Sequence, residues 1–227
     1  MGKGSTEIEI LVISRDGKGK KTDELVHEDE ISVKINGEIH KFYCIPVDLG
    51  EMIAGNLKSR GLDPSLSRIK RLSSSEFEVN VSEELVKTPQ KCDSKKKLTS
   101  KQVFESVEKL NENSLLYRKT GCTHVIGIRG NKDIFAEDIS RHCAIDKAIG
   151  LAIREGINLQ DSCLVSSCRQ TASTIRKAIF CQIPIVISIA APTDLAIEEA
   201  NKYGITLIGF ASSKGFNIYS HDWRIAT

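Results

Sequence analysis

Apolar side chains change their spacing several times along the chain, and each change predicts an element. Ile31, Val33 and Ile35 alternate with polar residues before Asn36-Gly37. Period-two alternation marks a half-buried strand, and Asn-Gly suits the positive φ angles of a tight turn. A hairpin into EIHKFYCI is therefore expected. Asp48 with Glu51 has capping-box spacing and opens a helix that ends near Gly61. SRIKRL and FEVNV read as a second short hairpin. From Ser82 to Ser100 the periodicity is lost. Residues 87–101 hold six Lys and one Asp, net +5, around the single Cys92. With so little to bury, this stretch is expected to be a mobile basic loop. Thr99 with Gln102 then caps a helix that puts Val103, Val107 and Leu110 on one face.

Beyond residue 120 strands and helices alternate. HVIGIRG and IFA form a hairpin around Asn131–Asp133, and a helix carries Ala144, Ile145, Ala148, Ile149 and Ala152 as far as Gly156. Strand CLVSS, a helix through Ile175 and Ala178, and strand IPIVISIA follow. A helix from about Asp194 to Tyr203 stops at Gly204, and ITLIGFA and FNIYS close the sheet. This order predicts an α/β fold: a mixed, mostly parallel sheet in three layers, with helices on both faces. The expected organisation is a small N-terminal α+β lobe over 1–86, the basic loop over 87–101, and the α/β domain over 102–227.

Composition sharpens the division. The 227 residues carry 32 Lys+Arg and 30 Asp+Glu, but 21 and 20 of these lie in residues 1–120, and five of the seven Cys lie beyond. Charge-rich sequence suits a solvent-exposed lobe, and thiols suit a better-buried domain. No stretch reaches 18 uninterrupted apolar residues, and the first residues lack the apolar core of a signal peptide. A cytoplasmic protein with reduced thiols is expected. A net charge of +2 argues against a nucleic-acid or membrane-surface partner.

In sheets of this kind ligands gather beyond the carboxyl ends of the strands. The candidate loops are then Ala136–Arg141, Ser166–Thr171, Ala190–Asp194 and Phe210–Asn217. There is no P-loop and no dinucleotide glycine fingerprint. AEDISRHCAIDKAIG concentrates Glu137, Asp138, Arg141, His142, Asp146 and Lys147 at a helix start. That arrangement suits either an anion site or a solvated first turn with i,i+4 charge pairs. Arg169 in SCRQTAST can clamp a phosphate or carboxylate, or can lie on the surface beside a hydroxyl-rich cap. Pro192 and Thr193 begin the next helix, with Pro192 in its first turn. No C-x-x-C pair is present, nor the H-x-E and P-C-x-x-C of a zinc deaminase, so no metal is expected. Cys163 and Cys181 read as small core residues. Cys92 lies between Lys91 and Lys95–Lys97, whose ammonium groups favour a thiolate. It is either a sulfur-carrying nucleophile or an incidental loop thiol.

GCTHVIGIRG, AEDISRHCAIDKAIG, SSCRQTAST, AAPTDLAIEEA and GITLIGFASSKGFNIYS together resemble the formate dehydrogenase accessory family, FdhD/NarQ. DELVHEDEISVKINGE and IPVDLGEMIAGNLKSRGL resemble its N-terminal patterns, so the likeness runs from about Asp23 to Ser220. It implies a cytoplasmic, homodimeric sulfurtransferase whose C-terminal domain is cytidine-deaminase-like without the zinc. Such a protein takes persulfide sulfur from a cysteine desulfurase. It passes the sulfur to the molybdenum cofactor, bis-molybdopterin guanine dinucleotide, before that cofactor enters formate dehydrogenase. By the same resemblance Cys92 matches the first Cys of the persulfide loop, and Lys95 stands where a second would be. Cofactor contacts are implied for His124, Arg141, His142, Arg169 and Thr193. The guanine-nucleotide end is expected on Phe210, Ala211, Ser212, Ser213, Lys214 and Gly215. Departures from the family pattern are Cys122 and Cys168 for Gly, Cys143 for Asn and Ser173 for Glu. One thiolate suffices to accept and release sulfane sulfur, so transfer through Cys92 is the expected activity. The lost second Cys and the lost Glu keep open a chaperone that binds the cofactor and does no chemistry.

Overall fold

Two long strands, β1 (Ser5–Ser14) and β2 (Gly17–Val26), open the chain and pair antiparallel throughout. They belong to a computed structural model that describes residues 4–66, 68–81 and 88–226. This hairpin stands apart from the other sheets, with Leu11 60% and Ile13 78% exposed. The sequence reading assigned no element here, although Glu7-Ile8-Glu9-Ile10 alternates and Asp16-Gly17 can turn.

The expected hairpin follows as β3 (Asp29–Ile35) and β4 (Glu38–Cys44), turning at Asn36 and Gly37 with φ of 48° and 92°. Helix α1 (Leu49–Ser59) starts where expected but without the capping box. Asp48 itself takes a left-handed φ of 53° and its side chain makes no cap bond. Glu51 instead pairs with Arg154 at 2.6 Å. The strands β5 (Arg68–Arg71) and β6 (Glu76–Asn80) form the second hairpin, and β6 also lies parallel to β3. The resulting four-stranded sheet, β4-β3-β6-β5, packs Ile31, Val33, Phe77 and Val79 against Met52, Ile53 and Leu57 of α1.

After β7 (Leu98–Thr99), α2 (Ser100–Glu112) begins with the Thr99–Gln102 capping box that the spacing predicts. A short helix α3 (Leu115–Thr120) comes next, which the sequence reading did not assign. Then follow β8 (His124–Arg129), β9 (Asp133–Asp138), α4 (Arg141–Arg154), β10 (Cys163–Ser166), α5 (Ala172–Phe180) and β11 (Ile185–Ser188). The chain ends with α6 (Asp194–Tyr203), β12 (Thr206–Ser212), β13 (Gly215–Ser220) and β14 (Ile225–Ala226). Thr193 caps α6, so Pro192 precedes that helix rather than filling its first turn.

The main sheet runs β13-β12-β11-β10-β8-β9 and is mixed, but it is not mostly parallel. Only β10/β11 and β11/β12 are parallel; β8/β9, β8/β10 and β12/β13 are antiparallel. Helical crossovers through α5 and α6 keep the central strands parallel. Tight turns at both edges return the chain directly, and a direct return must be antiparallel. Strand residues alternate between two cores, which makes three layers. Leu164, Val186 and Leu207 face α4, α5 and α6, while Val165, Ile187 and Ile208 face Val103, Val107 and Leu110 of α2.

The segment expected to be a mobile loop is pinned where it is described; its start at Lys87, the 86/87 boundary and Ser67 of the second hairpin lie outside the described residues. The Cys92 N–H donates to the Tyr203 carbonyl at 2.8 Å, and Cys92 is 4% exposed within the main core. The buried Arg224 guanidinium donates to the carbonyls of Gly204, Ser94 and Cys92 at 2.9, 3.3 and 3.5 Å. β7 pairs with β14. A composition rich in Lys predicts exposure of the ammonium groups, not of the backbone between them.

Candidate functional site

Loops at the carboxyl ends of β10, β11 and β12 are stitched together by backbone hydrogen bonds. Ile189 N–H donates to Ser166 O at 3.1 Å, Gln170 N–H to Ala191 O at 3.1 Å and Thr193 N–H to Gln170 O at 2.9 Å. The Phe210 N–H reaches Ala190 O at 3.2 Å. Beneath them, the buried Gln170 side chain donates to Ser166 Oγ and to the Cys168 carbonyl, which also accepts from Ser188 Oγ. β8 runs antiparallel to β10, so its first residue, His124, arrives at this same end. Ser167 Oγ accepts from Val125 N–H at 2.9 Å and ties the two strands there.

His124, Arg141 and Arg169 thereby come together, with His142 one residue beyond Arg141. Burial pushes the half-buried His124 imidazole below its ordinary value, and the charges of Arg141 and then Arg169 push it further. His142 is lowered by burial, then by Lys177 and Arg141. Both imidazoles therefore tend to neutrality. Among the described residues neither Arg141 nor Arg169 has an ion-pair partner, and Arg141 Nε is buried without a hydrogen bond. A cavity of about 410 Å³ opens on His124, lined also by Tyr117, Arg118, Cys122, Ser167 and Ile189; neither Arg141 nor Arg169 lines it. An unpaired guanidinium at the start of α4, with the exposed Arg169 close to the same histidine, suits an anion such as phosphate.

The other expected contacts divide. Phe210 takes a left-handed φ of 52° and is 53% exposed, so its ring is free to stack. Ser212, Ser213 and Lys214 are exposed at the β12–β13 turn, with Gly215 half-buried. Ala211 instead faces the core and offers no side chain to a ligand. The Thr193 hydroxyl already accepts from Ala196 N–H at the start of α6.

Cys92 does not join this cluster. Its neighbours Gln182 and Gly204 precede β11 and β12, at the amino ends of the strands, and its thiol donates to the Gln182 carbonyl at 3.8 Å. At least the four residues of β11 lie between Cys92 and the site, a span of ~13 Å. Nor do all the charges of AEDISRHCAIDKAIG belong to the site. Lys147 Nζ lies 2.7 Å from both Asp138 Oδ2 and the Ile45 carbonyl, fully buried. Asp146 accepts from Asn56, Ser59 and Lys177 at 2.9, 2.9 and 2.6 Å. Glu137 takes the N–H groups of Leu116 and Tyr117 and so caps α3. Sequence reasoning missed Gln170, which holds the site loops from beneath, and Arg224, which pins the Cys92 segment at the other end of the strands; no local pattern distinguishes them from surface residues. Among the described residues no group of three or more His, Cys, Asp or Glu could hold a metal ion. No helix among them is long and apolar enough to cross a membrane.

Residues 75–226 match the FdhD/NarQ family. The sulfur carrier protein FdhD of Methanothermobacter thermautotrophicus is 30% identical over 92% of this chain and 94% of its own length. The protein of the same name from Bacillus pumilus is 31% identical over 90% of this chain and 91% of its own. A crystal structure from Desulfotalea psychrophila, assigned as a formate dehydrogenase accessory protein, superposes with a TM-score of 0.87. It covers 99% of this chain and 100% of its own at 22% identity, a likeness of fold alone.

Proposed function

The chain belongs to the FdhD/NarQ family, and on that premise we propose that it is a sulfur carrier serving the molybdenum cofactor of formate dehydrogenase. In this reading a cysteine desulfurase loads sulfur onto Cys92, and bis-molybdopterin guanine dinucleotide receives it as cargo before entering formate dehydrogenase. A cytoplasmic homodimer is the working unit. The Cys92 thiolate attacks the outer sulfur of the desulfurase persulfide, and the desulfurase thiolate leaves and takes the proton. Cys92 ends as the persulfide, with no net oxidation.

The observation that carries the cargo half is the pair of unpartnered guanidiniums, Arg141 and Arg169, beside His124. They suit the phosphates, and Phe210 with Ser212–Gly215 suits the guanine end. Ser167 and Thr123 line the cavity that opens on His124. On the sulfur side, the buried Arg224 guanidinium holds the Cys92 segment through its carbonyls. Loading requires that this segment leave Tyr203 and Arg224, a local opening rather than global unfolding.

Incubation with a cysteine desulfurase and cysteine, followed by peptide mass spectrometry, tests the sulfur half. One added sulfur at Cys92 is expected; gain elsewhere or nowhere refutes it. Calorimetry with guanosine diphosphate tests the cargo half, and absence of binding refutes that. A second reading, a cofactor chaperone without chemistry, is favoured by the burial of Cys92 and its separation from the cluster. Full support of formate dehydrogenase activation by Cys92→Ser would select it.

A further inference from the structure

Cys44 and Cys143 come from different lobes and meet inside the lobe interface. Cys44 ends β4, and Cys143 lies in the first turn of α4, three residues after the N-cap Ser140. Both are buried, and among the described residues Cys143 alone brings the α/β domain into the small lobe's core. The residues on either side of Cys44 fix it against the start of α4: Tyr43 lines one cavity with Cys143, and Ile45 bonds Asp138 and Lys147. The two thiols pack in one buried cluster, and each acts on the other, pushing the Cys44 thiol up and holding Cys143 below the ordinary thiol value. Burial by itself acts the other way: it pushes Cys163 up to about 11 and Cys181 up to about 12. The Ser140 hydroxyl adds to the effect at Cys143, and a helix N-terminus favours a thiolate. Access exists as well. A surface cavity of about 380 Å³ is lined by Tyr43, Ser140, His142 and Cys143.

We propose that Cys44 and Cys143 are a reversible dithiol–disulfide couple that links the two lobes, closed by a sulfur–sulfur electrophile entering above Cys143. The Cys143 thiolate attacks one sulfur of R–S–S–R′, the S–S bond breaks, and R′–S⁻ leaves with the electron pair. Cys44 then loses its proton and attacks the Cys143 sulfur, expelling R–S⁻. The two thiol protons go to the two leaving thiolates. The couple loses two electrons, and the electrophile becomes R–SH and R′–SH. A persulfide reacts in the same way with hydrogen as R′, and hydrogen sulfide is released. The closed bridge ties the first turn of α4, which carries Arg141 and His142, to the end of β4. None of this depends on sulfur transfer through Cys92.

The test uses the full-length protein with Cys122→Ser, which removes the one exposed thiol. The native protein is equilibrated with glutathione disulfide in one arm and glutathione persulfide in the other. It is then quenched in acid, alkylated and mapped by mass spectrometry. A linked Cys44–Cys143 peptide is expected in both arms, with hydrogen sulfide released in the second. Linkage in one arm only keeps the couple and identifies its electrophile. Adding Cys44→Ala traps glutathione on Cys143, adding Cys143→Ser leaves Cys44 unmodified, and adding Cys92→Ser changes nothing. The bridged form should melt roughly 5–10 °C higher, because it closes a long loop in the unfolded chain. No linked peptide in either arm overturns the inference. So does linkage that appears only when Cys163 and Cys181 react as well, since those thiols become available only on unfolding.

Discussion

Residues Ala136–Gly150 supply charge to two regions that treat it in opposite ways. At the lobe interface, Asp138, Asp146 and Lys147 are buried and satisfied by partners from both lobes. At the carboxyl ends of the central strands, Arg141 from the same segment joins Arg169 and His124 with no ion-pair partner. One short segment feeds both places, and the neighbours it meets there differ. A buried charge with every valence filled holds the fold together. A charge with no ion-pair partner is free to meet an anion, which is what the proposed cargo site needs.

The largest effect should come from breaking the satisfied region. Asp138→Ala strands the Lys147 ammonium in a dry interface and is expected to cost about 3–5 kcal/mol by denaturant unfolding. Asp138→Leu with Lys147→Met should recover most of that loss, because it removes both charges. Next comes the backbone contact beside them. A Cβ on Gly150 would lie 1.8 Å from the Glu51 carbonyl oxygen, and one on Gly55 1.9 Å from that of Asp146. Gly150→Ala must push α1 off α4, and a loss of about 2–3 kcal/mol is expected in the same measurement.

Arg141→Ala tests the unsatisfied region and should separate it cleanly from the first. Stability should change by less than ~0.5 kcal/mol, while affinity for guanosine diphosphate by calorimetry falls about tenfold, ~1.4 kcal/mol. An Arg141→Ala protein that unfolds instead would erase the contrast between the regions. The smallest effect is one of pH. Folding lowers the His124 and His142 values below the ordinary 6.5, so below that pH the unfolded chain binds more protons than the native one. This contribution to stability is complete above about pH 6.5 and is lost as pH falls through the native values. Thermal melts from pH 7.5 to 5 should show the decline. The His124→Gln/His142→Gln protein should show a shallower one, and an equal slope would mean that other groups set it.

Much of this architecture is legible locally. Alternation at Ile31–Ile35 with Asn36-Gly37, the Thr99–Gln102 box and the stop at Gly204 each appear where their spacing puts them. The Asp48–Glu51 box has the same spacing and does not form, because Glu51 finds Arg154 across the interface. A cap is a local bargain that a distant partner can outbid. The candidate loops were legible because a strand's end is a sequence feature. Ala211 was not separable from Phe210, because which of two neighbours faces out depends on a register irregularity between β12 and β13.

The sequence by itself determined the order of strands and helices, the two-lobe division, the loops in which charge collects and the family pattern. It did so because periodicity, caps and turns are written within a few residues. The tertiary structure decided that β8 lies antiparallel to β10, that Lys147 serves Ile45 rather than a ligand, and that Cys92 lies buried at the opposite end of the sheet from Arg141. It also brought Cys44 against Cys143. Each of these rests on contact between residues tens to a hundred positions apart. Burial and pairing set what a charge or thiol does, and only folding brings such partners together.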